Sequence, residues 1–242
     1  ADRYIRRRID TPAADFRDPE AGGFFFWTGF APKWIDLLEM YELTGDEAWA
    51  ARARKHTEIL DSVQYLQWHH DVGFMIYDSY GNGLRLKNVP GYEGVIVQTA
   101  KSLATRFRPV PGVIQSWDAD RGWQGERGWQ CPVIIDNMMN LELMFKATEF
   151  SGDSTYYNIA VKHADRTMKE HFRDDYSCYH VVDYDLTTGG VRGRCTAQGY
   201  ADDSAWARGQ AWVVTGFALA YTYTKEPRFL EVSRKAAEAF LQ

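Results

Sequence analysis

Hydrophobic positions recur along this chain in two alternating patterns. Residues 34–43 (WIDLLEMYEL) are apolar on nearly every side of a helical wheel, which predicts a helix buried all round. After Thr44-Gly45-Asp46, residues 47–63 place Trp49, Ala53, His56, Leu60 and Val63 on one stripe. A single stripe predicts a helix with one buried face. The pair then repeats. Residues 135–150 are apolar around most of their circumference, Ser151-Gly152-Asp153 follows, and Tyr157, Ala160, Ala164, Met168 and Phe172 form the next stripe. In the third copy residues 206–224 are rich in apolar side chains, Lys225-Glu226-Pro227 is the turn, and Phe229, Val232, Ala236 and Phe240 are the stripe. Residues 91–107 predict another helix and residues 1–9 the remainder of a first, about eight in all.

Fully apolar helices alternating with striped ones, joined by short turns, predict an inner ring covered by an outer ring. The expected fold is therefore all-α, as one domain over residues 1–242. Strand-like pieces occur at residues 110–117, and residues 178–185 with Val191 read as a hairpin around Thr187-Thr188-Gly189-Gly190. Ser79-Tyr80-Gly81-Asn82-Gly83 reads as a turn. Neither a βαβ alternation nor a glycine-rich phosphate loop is present in the sequence.

Composition narrows the function classes. With 33 acidic and 28 basic residues the net charge is −5, and no basic patch interleaved with aromatics appears, so nucleic acid is not expected. Arg6-Arg7-Arg8 reads as a solvated face. No apolar run approaches a membrane span, so no membrane partner is expected. The N-terminal residues have no apolar signal region, which suits a cytoplasmic protein, or a periplasmic one whose signal has been removed. Cys131, Cys178 and Cys195 are odd in number and fit no zinc spacing, so free thiols are expected. Nine Trp, 14 Tyr and 13 Phe are core material first, and their number is also compatible with a carbohydrate site, because aromatic rings stack on the C–H faces of sugars.

Candidate acids border the apolar helices in four stretches: His69–Phe74, Cys131–Asn140, His180–Asp185 and Thr196–Trp212. Asp136 stands among Ile134, Ile135, Met138 and Met139, where a carboxylate must be paired, hydrogen-bonded or protonated. It reads either as a helix N-cap or as a general acid whose pKa is raised by burial and by a second carboxylate. Asp71 is the natural second carboxylate. His69-His70-Asp71 could also ligate a metal, but adjacent residues rarely face one ion, and no metal or other cofactor is expected. Asp183, Asp185, Asp202 and Asp203 offer a structural calcium site as a lesser alternative. Arg208 and Trp212, four apart on a helix, share a face suited to a sugar carboxylate. The competing reading pairs Arg208 with Asp202 or Asp203.

In order along the chain, HHDVGF, DNMMNLELM, YHVVDYD and TAQGYADDSAWARGQAW together resemble the unsaturated glucuronyl hydrolases, glycoside hydrolase family 88. The likeness extends over residues 22–242. It implies an (α/α)6 toroid and a substrate that is an oligosaccharide with a 4,5-unsaturated uronic acid at its non-reducing end. The implied reaction adds water across the C4–C5 double bond, after which the sugar rearranges and releases its neighbour. Carried over by motif, Asp136 matches the general acid/base and Asp71 the second aspartate. His70, His180, Gln198, Arg208 and Trp212 match substrate-site positions, and Trp27 and Trp117 match stacking tryptophans. The resemblance also implies that about four helices of the ring lie outside these residues at the two ends, either elsewhere in the protein or replaced by another chain. Oligomeric state is not legible. The nearest alternative is an unsaturated rhamnogalacturonyl hydrolase, whose arginine motif departs further from ARGQAW. A sugar epimerase on a similar toroid is a weaker fit because its chemistry leans on histidines. A non-catalytic carbohydrate-binding toroid would keep the tryptophans but would not need Asp136 buried beside Asp71.

Overall fold

The computed structural model describes residues 31–241. Its long helices come in pairs. α1 (Ala31–Thr44) packs on α2 (Glu47–Glu58), and α3 (Val72–Ile76) with its continuation packs on α5 (Tyr92–Ala104). α7 (Leu141–Ser151) packs on α8 (Ser154–Glu170), and α9 (Ala207–Thr224) on α10 (Pro227–Leu241). This is the inner–outer helical arrangement expected from the alternating patterns. α4 (Asn82–Lys87) continues α3 through a π-helical turn, and α6 (Gly122–Gly125) is a single turn in a loop. No helix among the described residues is long and apolar enough to cross a membrane.

The repeated turns have a common chemistry. Asp46 and Asp153 each accept the backbone N–H two residues on, at 2.9 and 2.8 Å, and so cap α2 and α8. Gly152 ends α7 with φ +73°, a conformation that a side chain disfavours. In the third copy Lys225 occupies the left-handed position instead, at φ +59°.

Burial follows much of the stripes on the outer helices. Ala53 and His56 on α2 are buried, as are Ala160, Ala164, Phe229, Val232 and Ala236, but Phe240 is 50% exposed. The helix expected over residues 47–63 ends at Glu58, and Leu60 and Val63 are buried beyond it, Val63 on a 3-10 turn. On α7, Leu141, Leu143, Met144, Phe145 and Ala147 are all buried, as an inner helix requires. α1 differs from expectation: Leu37 and Leu38 are buried, but Leu43 is 81% exposed, so this helix is not enclosed by the described residues.

Two further sequence readings are corrected. Residues 135–150 are not one α-helix. Ile135–Asn140 is a 3-10 turn that leads into α7. Residues 79–83 are not a loop turn either. They belong to the helical run from Val72 to Lys87, which the sequence reading missed. Tyr80 explains this: it is 1% exposed and packs on Tyr92 at 4.4 Å, so burial holds a glycine-containing segment helical.

The predicted hairpin is present as β4 (Val181–Tyr184) and β5 (Val191–Cys195). β3 (Pro132–Ile134) adds to it antiparallel, giving the order β3-β4-β5. A second small sheet pairs β1 (Phe107–Arg108) with β2 (Val113–Ile114). The three-stranded sheet delivers Ile134 directly into the 3-10 turn that carries Asp136, and its neighbour strand begins just after His180. Cys131 and Cys178 are buried and Cys195 is partly so, all as free thiols.

Candidate functional site

Asp71 and Asp136 come together through a chain of buried amides. Asn140, fully buried on the 3-10 turn, accepts the Phe74 N–H at 3.1 Å and donates to Asn137 Oδ1 at 2.7 Å. Asn137 in turn donates to the Ile114 carbonyl at 2.7 Å and to Ser116 Oγ at 2.8 Å. Ser116 Oγ accepts the Ile134 N–H at 2.8 Å. The first turn of α3, which follows Asp71, is thereby fixed against the turn that carries Asp136. Gly73 is required for this contact, since a Cβ there would stand 2.3 Å from Asn140 Oδ1.

The two carboxylates occupy opposite electrostatic settings. Burial raises the pKa of Asp136, and the negative charge of Asp71 raises it further, against His70, its own backbone amide and Arg208. Its Oδ2 is buried without a hydrogen-bond partner. Asp136 does not cap the turn as an N-cap, because Ile134 holds the cap position. Burial pushes Asp71 upward too, but His70, His69 and Arg208 outweigh it and hold Asp71 below the usual carboxylate range. His70 Nε2 lies 2.7 Å from Asp71 Oδ1, and His69 Nδ1 lies 3.7 Å from Oδ2.

His180 completes the centre. Its Nδ1 accepts the N–H groups of Ala197 and Gln198 at 3.0 and 3.2 Å. Burial, with Arg208 and His70, lowers its pKa to about 4, so the ring is neutral near pH 7. With Nδ1 occupied as an acceptor, the proton must sit on Nε2, which faces Asp136 Oδ2 at 3.7 Å. Arg208 donates to Gln198 Oε1, and its guanidinium lies 4.4 Å from the Trp206 ring centroid. Trp206 packs on His180 at 4.5 Å. Trp117 meets His70 and His180 edge-on at 6.3 and 6.1 Å. Two aspartates, two histidines, an arginine and aromatic walls thus converge, with His70, His180 and Asp136 presenting buried polar atoms that have no protein partner.

Curated proteins are similar to this chain over most of its length. An unsaturated glucuronyl hydrolase of Formosa agariphila is 42% identical over 220 residues, covering 89% of this chain and 53% of the relative. An unsaturated chondroitin disaccharide hydrolase of Streptococcus pyogenes serotype M1 is 35% identical over 219 residues, covering 89% of this chain and 52% of the relative. A crystal structure of an unsaturated glucuronyl hydrolase specific for heparin superposes with a TM-score of 0.79 at 42% identity, over 86% of this chain and 54% of that one. Over 89% of its length the chain is similar to unsaturated glucuronyl hydrolases. It spans about half the length of the curated relatives it matches. No family model matches the chain.

Most of the residues singled out from the sequence are neighbours: Asp71, Asp136, His70, His180, Gln198, Arg208 and Trp117. Trp27 lies outside the described residues. Trp212 packs against the main core, and the ring under Arg208 belongs to Trp206. Helical spacing could not find Trp206, because it precedes the first residue of α9. Neither Asp202 nor Asp203 forms an ion pair with Arg208. Asp202 accepts the Thr196 N–H at 2.7 Å. Asp183 is occupied by Arg192 and two backbone amides, and Asp185 by the turn at Thr187 and Thr188. His69, His70 and Asp71 do bring ligand atoms within 4.8 Å of one another, closer than adjacency in sequence suggested.

Proposed function

We propose that this centre removes a 4,5-unsaturated uronic acid from the non-reducing end of an oligosaccharide, by hydrating its C4–C5 double bond. The observation that carries the reading is a carboxyl whose pKa burial raises, Asp136, beside a second aspartate whose pKa the neighbouring histidines lower. Hydration of a vinyl ether needs a proton donor at neutral pH, and an ordinary aspartate would already have lost its proton.

The steps follow from this pairing. Asp136 gives its proton to C4, and the positive charge that forms at C5 is shared with the ring oxygen. Asp136, now a carboxylate, takes a proton from water as that water bonds to C5. The product is a hemiketal at C5. Its ring opens to a ketone, the former ring oxygen is left as a hydroxyl on C1, and C1 expels the neighbouring sugar as an alcohol. His180 Nε2–H and the Arg208 charge favour the carboxylate form of Asp136, so they help most after the proton has left. Arg208 with Gln198 offers donors for the uronate carboxylate, and Trp206 and Trp117 offer apolar faces for the sugar rings. The family's sequence relatives are named for this substrate type, and one solved relative, 31% identical with a TM-score of 0.77, is titled with dGlcA-Glc-Rha-Glc. The full-length protein incubated with an unsaturated uronyl disaccharide should bleach the ultraviolet absorbance of the conjugated double bond. Release of the sugar with that absorbance intact would refute hydration.

A further inference from the structure

The loop between β2 and β3 carries an aromatic array of which the carboxylate centre uses only Trp117. It starts at Trp117, against His70 and His180, and leads away from them. Trp129 stacks on Trp117 at 5.7 Å with planes 22° apart, and Trp123 meets both edge-on at 5.0 and 5.9 Å. The Arg127 guanidinium lies 5.7 Å from the Trp123 ring centroid and 5.6 Å from that of Trp129. Trp123 is 46% exposed, and Arg127 forms no carboxylate ion pair among the described residues.

The array is anchored at both ends. Buried Arg106 holds the Ser116 carbonyl at 3.2 Å and Asp118 at 3.0 Å. At the other end buried Asp183 accepts the N–H groups of Gln130 and Cys131 at 2.9 and 2.8 Å. Arg192 bonds to Asp183 at 2.6 Å and to the Gly128 carbonyl at 3.1 Å. A solvent-facing indole held this firmly is preorganised for a flat apolar partner, because ordering costs are met before binding. The cation beside it suits an anion in the same partner.

We propose that Trp123 and Arg127 form an outer sugar-binding subsite, beyond Trp117, for sugars that follow the disaccharide at the reacting bond, with preference for a sugar that bears an anionic group. Trp123 stacks on the C–H face of the ring and Arg127 pairs with the anion. The inference rests on the reading that the Asp71–Asp136 centre acts on an oligosaccharide end, which places the occupant of the adjoining array.

The test uses the full-length protein with an unsaturated uronyl disaccharide and two tetrasaccharides carrying the same terminal sugar, one with anionic inner sugars and one with neutral ones. In Trp123→Ala the ratio of tetrasaccharide KM to disaccharide KM should rise about tenfold, equivalent to about 1.4 kcal/mol, and Trp123→Phe should recover most of it. Arg127→Ala should abolish the preference for the anionic tetrasaccharide. Equal changes on disaccharide and tetrasaccharide would overturn the subsite, as would an unchanged anion preference in Arg127→Ala. If the protein turns over none of these substrates, the hydration reading fails and the subsite is decided by binding alone. Tryptophan fluorescence titrated with the anionic tetrasaccharide should then respond in the native protein and lose its response in Trp123→Ala. No response in the native protein, or equal affinity in the variant, would overturn it, as it would if another part of the protein covers Trp123.

Discussion

Replacing Asn140 by Leu tests whether the buried amide chain sets the geometry of the centre. The side chain is fully buried, and leucine keeps its branched shape but is bulkier, so some overpacking cost adds to the lost hydrogen bonds. Two groups lose their partner: the Phe74 N–H, bonded at 3.1 Å, and Asn137 Oδ1, bonded at 2.7 Å. Each buried polar group left unsatisfied costs about 1–3 kcal/mol. The expected loss is therefore about 2–6 kcal/mol, a large part of a typical stability of about 5–15 kcal/mol. Urea unfolding followed by far-ultraviolet circular dichroism measures it. The kinetic effect has a separate origin. Without the Phe74–Asn140 bond the first turn of α3 is free to shift against the 3-10 turn, and a displacement on the order of 1 Å costs about a hundredfold in rate. Initial rates measured well below the unfolding midpoint should show a lower kcat with a smaller change in KM. A variant that loses stability but keeps its kcat would show that other contacts set the two aspartates. A variant within about 0.5 kcal/mol of the native protein, the usual range for surface changes, would refute the account of the network altogether.

Asp136→Asn should abolish turnover. It should also stabilise the fold at neutral pH, because a carboxyl whose pKa is raised by folding disfavours the folded state once pH exceeds its unfolded value; a lower melting temperature would contradict this. Asp71 has the opposite sign: its folded pKa is lowered, so its contribution is present above the unfolded pKa and is lost as pH falls through the folded value. Activity that depends on protonated Asp136 should decline on the alkaline side, and Asp71→Asn should move that limb to lower pH by removing a charge that raises Asp136; a stationary limb in a variant with residual activity would disconnect the pair. Arg208→Ala removes a charge-assisted contact of about 1.5–3 kcal/mol, so kcat/KM should fall about 10- to 150-fold; undiminished efficiency would remove Arg208 from substrate recognition. Dialysis against a strong chelator should leave turnover unchanged, whereas loss restored by one divalent ion would turn His69, His70 and Asp71 into a metal site.

The helical pairs were legible because burial leaves a periodic record: Ala53 and His56 on α2, Ala160 and Ala164 on α8, and Phe229, Val232 and Ala236 on α10 are buried at the expected spacing. The aspartates were legible for the opposite reason, since a charge among apolar neighbours breaks the pattern. The helical run at 72–87 was not legible. Its Gly81 and Gly83 read locally as turn residues, and what holds them helical is Tyr80 packing on Tyr92, a contact between separate helices. The same limit hid Trp206. Spacing of four finds partners only within one helix, while Arg208 reaches back past the helix start to Trp206. The amide chain through Ser116, Asn137 and Asn140 joins segments 21 and 23 residues apart and then 66, and no local pattern reports it.

The two aspartates cannot exchange roles in the proposed reaction. Asp71 has a histidine nitrogen 2.7 Å away and a second at 3.7 Å, so it is ionised at neutral pH and has no proton to give. Its charge is nevertheless needed, because it is one of the causes that raise the pKa of Asp136. Burial, more than any other cause, raises the pKa of Asp136. His180 Nε2–H stands at 3.7 Å from its Oδ2, beyond hydrogen-bond distance. Two backbone amides pin His180 in the one tautomer that aims a proton at Asp136. Once Asp136 has protonated the substrate, that donor and the Arg208 charge both favour the carboxylate left behind. Burial and the Asp71 charge thus favour the acid that gives the proton, while His70, the backbone amide and Arg208 limit the cost of the carboxylate left behind.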